Sequence, residues 1–228
     1  MKDKAYMNQE FLHSREAREI RVLCEMTEPK KALDQHGVSD LITFFGSART
    51  QPDEGSYKDA YALSWRLSKW CQEHAPSCAI STGGGPGIME AANKGAMQAG
   101  GKSVGMGISL PFEQSSNEYI TPDLDFEFHY FFTRKYWCVY LAKAFVVMPG
   151  GVGTLDELFE ILTLIQTKKI KLNKPIVLFD TEFWTNTVKF QTMVERGTIS
   201  PRDVDLFKIT SSIDTAYEYI TENIELYG

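Results

Sequence analysis

Two glycine-rich segments carry the clearest chemical signal in the sequence. Residues 83–87 contain four glycines and residues 150–153 contain three. Glycine adopts positive φ easily, so consecutive N–H groups in such a segment can converge on an anion. Each segment follows a short apolar run and precedes a helical pattern, and a helix N-terminus also attracts negative charge. The two segments together favour a phosphorylated ligand, whereas either one alone could be a tight turn between a strand and a helix.

A carboxylate follows the second segment closely, in Thr154-Leu155-Asp156-Glu157. Thr-x-x-Glu ahead of an apolar run is typical of a capping box, in which Glu157 would bind a backbone N–H. Alternatively, Glu157 lies one turn into a helix whose N-terminus faces the ligand, where a carboxylate could be catalytic. The spacing leaves both interpretations open.

Two adjacent cations, Arg134 and Lys135, lie within the strongly aromatic segment 126–140. Arginine is suited to bidentate recognition of a carboxylate or a phosphate. Taken alone, the pair is more typical of solvent-facing charges on a buried helix. The surrounding aromatic residues indicate a core or a subunit interface rather than a platform for stacking bases.

Other nucleotide-binding signatures are missing from the sequence. No Gly-x-Gly-x-x-Gly follows a strand pattern, as a dinucleotide fingerprint would require. Gly101-Lys102-Ser103 resembles the end of a Walker A loop, but Ala96 stands where the first glycine belongs, and the segment leads into a strand pattern. NAD-dependent redox chemistry and hydrolysis of nucleoside triphosphates are therefore not favoured.

Composition and charge narrow the class of protein further. The four cysteines form no Cys-x-x-Cys pair and the four histidines form no His-Glu-x-x-His pair, so no metal site is expected. We expect a cytoplasmic protein, because the cysteines are predicted to be free thiols and the sequence starts without an apolar signal region. It is not expected to enter the membrane, because no run approaches ~18 apolar residues. The net charge of −6 argues against a nucleic-acid partner but allows a local basic pocket.

The elements that must position these residues alternate regularly along the chain. Strands apolar on both faces that alternate with helices indicate a parallel, doubly wound, Rossmann-like α/β sheet. Its ligand should lie at the carboxyl ends of the strands, after Phe45, Ser81 and Met148. Strands are predicted at 41–45, 77–81, 103–108, 144–148 and 175–179, and helices at 57–73, 88–99, 130–143, 155–168, 183–196 and 213–225.

The chain of 228 residues is expected to form a single α/β domain with an N-terminal helical extension. Residues 1–38 form the extension, with a helical pattern over 9–33 and a break or new helix start at Pro29. Residues 39–228 form the Rossmann-like nucleotide-binding catalytic domain. No repeat or low-complexity linker divides them.

Several motifs resemble those of a known family. Pro149-Gly150-Gly151-Val152-Gly153-Thr154-Leu155-Asp156-Glu157 fits the Pro-Gly-Gly-x-Gly-Thr-x-x-Glu signature of the LONELY GUY family. Residues 83–89 and 44–49 resemble the family's other glycine-rich loop and its first strand and loop. Residues 110–114 and 128–135, together with the N-terminal extension, resemble its longer bacterial branch. The resemblance covers roughly residues 9–180.

The resemblance implies a phosphoribohydrolase that needs no cofactor. It would cleave the N-glycosidic bond of a nucleoside 5′-monophosphate, AMP or an N6-modified AMP as in cytokinin biosynthesis, and release the free base and ribose 5-phosphate. It also implies a homodimer or higher homo-oligomer with the pocket near the subunit interface. Many family members carry a lysine decarboxylase label, but no lysine of this sequence is identifiable as a Schiff-base residue.

Arg134 and Glu157 match the family's catalytic pair. Residues 131–133 depart from the Met-His-x of shorter members, which puts the base preference in doubt more than the chemistry. The binding residues implied by the resemblance are Gly46, Ser47, Gly83, Gly84, Gly85, Gly87, Met89, Lys135, Gly150, Gly151, Val152, Gly153 and Thr154.

Cleavage of an N-glycosidic bond builds oxocarbenium character on the ribose, which requires a nearby negative charge and an activated water. We expect Glu157 to supply both, and Arg134 to keep Glu157 ionised and oriented. The alternatives are a non-catalytic nucleotide or molybdenum-cofactor carrier and a nucleosidase for ordinary AMP. Neither the motifs nor their spacing distinguishes a cytokinin-specific enzyme from a nucleosidase for ordinary AMP.

Overall fold

The computed structural model describes residues 4–109, 115–170 and 174–226. Within these ranges all neighbouring strands of the sheet are parallel. The strands are β1 (Asp40–Phe45), β2 (Cys78–Thr82), β3 (Ser103–Ile108), β4 (Asp125–Phe128), β5 (Ala142–Val147), β6 (Ile176–Phe179) and β7 (Lys208–Thr210). Their spatial order is β4-β3-β2-β1-β5-β6-β7.

Helices connect the strands and precede the first one. They are α1 (Gln9–His13), α2 (Arg18–Gln35), α3 (Gly55–His74), α4 (Ile88–Gln98), α5 (Phe131–Tyr140), α6 (Val152–Gln166), α7 (Thr181–Thr187), α8 (Phe190–Glu195) and α9 (Ile213–Asn223). Among the described helices, none is both long and apolar enough to cross a membrane.

The helices cover both faces of the sheet and create two cores. Helices α2, α5 and α6 pack on one face, where Leu33, Trp137 and Ile161 are buried. Helices α3, α4 and α9 cover the other face, where Leu63 and Ile220 are buried. Because central strands such as β1 and β5 are buried along their whole length, most of their residues are apolar on both faces. The predicted doubly wound α/β fold is confirmed.

Both edge strands were missed by the sequence pattern. In β4, exposed Asp125 and Glu127 alternate with buried Phe126 and Phe128, so the strand lacks the apolar run of its inner neighbours. Strand β7 has three residues, of which Lys208 is exposed. Edge strands have one solvent-facing side and often carry charges, so the search for apolar runs does not find them.

Three predicted helices differ from the observed ones. The helix predicted at 130–143 ends at Tyr140, and Ala142 and Lys143 already belong to β5. Helix α6 begins at Val152 instead of 155, so the second half of the glycine segment already belongs to its first turn. The helix predicted at 183–196 is two helices, because Val188 is extended, with φ −124° and ψ 116°. The earlier start of α6 bears directly on the candidate site.

The N-terminal extension breaks at Ser14, which is extended with ψ 166°, and not at Pro29 as the sequence predicted. Pro29 lies inside α2 and is buried. Proline lacks an N–H, so Glu25, four residues earlier, loses the donor to its carbonyl. The indole Nε1 of Trp137 donates to that carbonyl at 2.8 Å instead. The proline is therefore accommodated by a contact from α5.

Candidate active site

A cavity of about 680 Å³ opens between the carboxyl ends of β1 and β5. At this point the strand order reverses, and ligands of doubly wound sheets bind in the crevice that the reversal creates. The loops after β1, β2 and β5 and the start of α5 converge there. The lining residues are Phe45, Gly46, Ser47, Ala48, Arg49, Gly83, Met89, Phe131, Arg134, Gly151, Val152, Gly153, Thr154, Asp156 and Glu157.

The first turn of α6 forms one wall of this cavity. Gly151 is its N-cap residue and has no side chain to cap the helix. The amide of Leu155 is bonded to the carbonyl of Gly151 at 3.1 Å, and the amides before it have no acceptor within the helix. A Cβ added at Gly151 or Gly153 would meet open space. This wall therefore offers backbone N–H groups and the positive end of a helix dipole to an anion.

Glu157 does not form the capping box that its spacing suggested. It lies in the second turn of α6 and points to α5, where Arg134 Nη1 donates to Glu157 Oε1 at 2.8 Å. The Nε of Arg134 also donates to the carbonyl of Met106 on β3 at 2.8 Å. The two anchors fix the guanidinium between the sheet and the carboxylate.

The second oxygen of Glu157 is available for chemistry. The side chain is only 5% exposed, and its Oε2 is buried and has no hydrogen-bond partner within residues 4–109, 115–170 and 174–226. A buried carboxylate oxygen without a donor is costly, so this atom is expected to bind a ligand group or water. Its position in the wall of the cavity is suited to that role.

The effect of Arg134 on the ionisation of Glu157 is opposed by burial. Burial raises the pKa of Glu157 above its ordinary value, and this exceeds the lowering by Arg134 and Lys135. Arg134 therefore orients the carboxylate and limits the rise of its pKa, but does not bring the pKa below the ordinary range. A carboxylate with a raised pKa is suited to exchanging a proton with water.

The first glycine segment permits close approach of its neighbours. A Cβ at Gly83 would lie 2.8 Å from Nη2 of Arg134 and 2.9 Å from the sulfur of Met89. Gly87 has φ +68°, and a Cβ there would collide with the carbonyl oxygen of Ser47. Gly83 thus makes room for the guanidinium, and Gly87 lets the loop after β1 pack against α4.

Two asparagines outside the glycine segment support it. The side chain of Asn117 donates to the carbonyls of Gly84 and Gly85, each at 3.0 Å, and to Oδ1 of Asn93 at 2.9 Å. Asn93 is fully buried and also accepts a hydrogen bond from Thr82. No motif in the sequence marked either residue, since their role depends on contacts between separate segments.

Helix α5, which carries Arg134, is capped from the N-terminal extension. The carboxylate of Glu25 on α2 accepts hydrogen bonds from the amides of His129 and Tyr130 at 2.9 and 3.4 Å and from the hydroxyl of Thr133 at 2.5 Å. Tyr130, the N-cap residue, provides no side-chain cap of its own. A carboxylate at this end is favoured by the helix dipole. Sequence reasoning missed Glu25, which lies 104 residues from His129.

Lys135 lies outside the cavity, unlike its neighbour Arg134. Its Nζ forms ion pairs of 2.8 Å with Asp156 and with Glu160, both on α6. Adjacent helical residues point about 100° apart, so only one of the two cations faces the cleft. The structure therefore does not bring Lys135 to the proposed binding site.

Most of the other binding residues expected from the sequence do meet at the cleft. Gly84 and Gly85 line a smaller adjoining cavity of about 200 Å³, which shares Gly83, Met89 and Arg134 with the first. Gly87 and Gly150 line neither cavity. The resembling segment 110–114 lies outside the described residues. Within the described parts of the chain, no group of three or more His, Cys, Asp and Glu residues could hold a metal.

The fold and site together define a Rossmann-like α/β protein with a ligand cleft at the reversal of its strand order. Comparison with protein families gives a match over residues 89–220 to the family described as "Possible lysine decarboxylase". The match covers more than half of the chain and includes Arg134 and Glu157, and the chain belongs to this family. A comparison with curated proteins finds no significant match.

Solved structures share the fold at low sequence identity. TM1055 is 18% identical with a TM-score of 0.51, over 80% of this chain and 99% of that one. DNA processing protein A from Helicobacter pylori is 13% identical with a TM-score of 0.51, over 86% and 85%. The molybdenum cofactor carrier protein from Chlamydomonas reinhardtii is 17% identical with a TM-score of 0.49, over 81% and 98%. At these identities the likeness extends to the fold alone.

Proposed function

We propose that this protein hydrolyses the N-glycosidic bond of nucleoside 5′-monophosphates, AMP or N6-modified AMP, and releases the free base and ribose 5-phosphate. The observation that carries the proposal is that Glu157 lines the cleft and that its buried Oε2 has no hydrogen-bond partner in the described parts of the chain. Glu157 lies one to two turns along a helix whose N-terminus lines the same cleft. One helix thus offers a phosphate-binding end and a carboxylate for the sugar.

The phosphate would bind at the first turn of α6, where Gly151, Val152, Gly153 and Thr154 line the cleft. Its contacts with the backbone amides and helix dipole lie away from the scissile bond. Such remote binding energy can hold the ribose against Glu157 in the transition state. A helix rise of 1.5 Å per residue places Glu157 about 6–9 Å from that end, a distance that a ribose 5-phosphate can span.

In the reaction, the bond between C1′ and the base nitrogen breaks, and its electron pair leaves with the base. The developing positive charge on the ribose is stabilised by the carboxylate of Glu157. Oε2 of Glu157 accepts a proton from a water molecule as the water oxygen bonds to C1′. The base takes up a proton, and Glu157 returns its own to solvent. Arg134 holds the carboxylate in place through Oε1, so that Oε2 remains directed at the reaction.

The family description names lysine decarboxylase, but the cleft supports a nucleotide better. Among the described residues that line it, none is a lysine, so the lining provides no amine for a Schiff base. It provides instead a helix N-terminus, two arginines and two carboxylates. This set is suited to a phosphate ester and to charge development on a sugar.

The test is a panel of substrates incubated with the purified protein. The panel comprises AMP, N6-isopentenyl-AMP, GMP, adenosine and lysine, and free base and ribose 5-phosphate are quantified by chromatography. Release of base from a monophosphate supports the proposal, and the relative rates for AMP and the N6-modified nucleotide assign the base preference. Tight AMP binding without base release would overturn it in favour of a carrier, and carbon dioxide release from lysine would overturn it in favour of a decarboxylase.

A further inference from the structure

Four charged side chains line the cleft, and three of them are already paired. Arg134 is bonded to Glu157, and Asp156 forms an ion pair with Lys135, each at 2.8 Å. Arg49 is the fourth. Within residues 4–109, 115–170 and 174–226, its guanidinium has no hydrogen-bond or ion-pair partner. The cleft therefore holds one cation whose charge is not neutralised by a neighbouring group of the protein.

The backbone that carries Arg49 is firmly anchored, although its side chain is exposed. The amide of Ser47 donates to the carbonyl of Pro149 in the loop before α6, and the carbonyl of Ser47 accepts from the amide of Ile88 at the start of α4, each at 3.0 Å. The amide of Arg49 donates to the hydroxyl of Ser47 at 3.1 Å. Residues 47–49 thus link the loop before α6 to the start of α4, and the fixed backbone places Arg49 on the rim of the cleft.

The α6 terminus alone is a modest partner for a doubly charged phosphate. A helix N-terminus is equivalent to about half an elementary charge, and the carboxylates of Asp156 and Glu157 line the same cleft. The charge of Arg134 is already offset by Glu157, to which it is bonded at 2.8 Å. A guanidinium with free N–H groups can bind a phosphate through two parallel hydrogen bonds.

We propose that Arg49 binds the phosphate of the substrate together with the N-terminus of α6, and that it sets the preference for nucleoside 5′-monophosphates over nucleosides. This rests on the proposed function for the identity of the substrate, but the binding of a phosphate monoester can be measured without turnover. A nucleoside offers Arg49 no anion. The exposed side chain then remains in solvent and adds nothing to binding.

The experiment measures binding calorimetrically in a Glu157→Gln background, so that no ligand is consumed. The ligands are AMP, ribose 5-phosphate and adenosine, and the variants are Arg49→Ala and Arg49→Lys. Arg202→Ala, an exposed arginine outside the cleft, is the matched control. Arg49→Ala should weaken the binding of AMP and of ribose 5-phosphate by about tenfold or more, as expected for the loss of a charge-assisted contact. The affinity for adenosine should change by less than about twofold.

Two further readouts separate a phosphate contact from a change in cavity shape. Arg49→Lys should recover part of the AMP affinity, since it retains charge but not the fork geometry. The salt dependence of AMP binding should be smaller in Arg49→Ala, because a screened charge contact has been removed. Equal weakening of AMP and adenosine, or an unchanged affinity for ribose 5-phosphate, would overturn the assignment.

These outcomes are independent of the proposed hydrolysis. If AMP binding depends on Arg49 but the wild-type protein releases no base, the proposed reaction fails and the assignment of Arg49 stands. If the wild-type protein releases base and Arg49→Ala shows the same kcat/KM ratio for AMP over adenosine, the assignment fails and the reaction stands.

Discussion

The 2.8 Å hydrogen bond between Arg134 Nη1 and Glu157 Oε1 gives the two oxygens of the carboxylate different surroundings. Oε1 is held by the guanidinium, while Oε2 is buried and has no hydrogen-bond partner among the described residues. One oxygen thus fixes the orientation of the side chain, and the other is left for a ligand group or water.

Glu157→Gln should lower kcat for AMP hydrolysis by at least about a hundredfold, because the amide cannot accept the proton of the attacking water. AMP affinity should change little, since the phosphate is held elsewhere. Glu160→Gln is the matched control, because Glu160 lies on the same helix and pairs with Lys135 outside the cleft. The measurement is steady-state base release together with calorimetric binding. Activity of Glu157→Gln near that of Glu160→Gln would contradict the assigned role.

The pH dependence of kcat/KM should show an acid limb above the ordinary glutamate pKa of 4.5, because burial raises the pKa of Glu157. Glu157 must be deprotonated to accept a proton. Activity is therefore present above the raised pKa of Glu157 and falls as the pH drops through it. Arg134 lowers the pKa, so Arg134→Gln should move the acid limb to still higher pH and also reduce kcat. A profile measured between pH 4 and 9 tests both. An unshifted limb in Arg134→Gln would show that the pair is not coupled in solution.

Gly83→Ala should impair catalysis more than folding. The new methyl group would lie 2.8 Å from Nη2 of Arg134 and 2.9 Å from the sulfur of Met89, and both are ends of flexible side chains that can move. We expect a drop of about tenfold or more in kcat, since displacement of Arg134 releases its carboxylate partner. Gly55→Ala, where a methyl group meets open space, provides the control. Equal kcat and melting temperature in the two variants would show that Arg134 tolerates displacement.

Glu25→Gln should weaken the link between the N-terminal extension and α5, the helix that carries Arg134. Its carboxylate accepts from two backbone amides and from Thr133, and hydrogen bonds to a charged acceptor contribute about 1.5–3 kcal/mol. We expect a lower melting temperature and a lower kcat with little change in KM, because α5 carries Arg134 but little of the phosphate wall. Glu28→Gln, at an exposed position on α2, is the control. Loss of stability with kcat preserved would limit Glu25 to a structural role.

The homodimer expected from the sequence stays a prediction. Phe131, Phe132 and Tyr140 on α5 are 56%, 55% and 53% exposed, and an apolar group of this size on a helix is typical of an interface. Sedimentation should give at least twice the chain mass of 25.8 kDa. Tyr140→Lys should shift the protein towards the monomer, whereas Trp65→Lys on α3, 38% exposed, should not. A monomeric wild-type protein would contradict the expectation.

Much of the candidate site could be predicted because its signals are local. The segments 83–87 and 150–153 each follow an apolar strand, and parallel strands place their carboxyl ends on the same edge of a sheet. Glu157 could be named as a candidate for the same reason. Its two interpretations, cap or catalytic carboxylate, could not be separated, because they depend on where α6 begins. The helix begins three residues earlier than predicted, which puts Glu157 beyond capping distance.

The sequence by itself determined the alternation of strands and helices and the edge of the sheet that holds the cleft, and its motifs named Arg134 and Glu157 as candidate catalytic residues. Only the tertiary structure decided that Arg134 faces the cleft while Lys135 pairs with α6, and that Glu25 caps α5. It also decided that Arg49 lines the cleft with a guanidinium that has no partner among the described residues. The physical reason is that neighbouring residues determine the alternation of strands and helices and the conformation of the turns between them. The rotation of a helix about its axis, and the side chains it meets, depend on packing against segments that are distant in the chain.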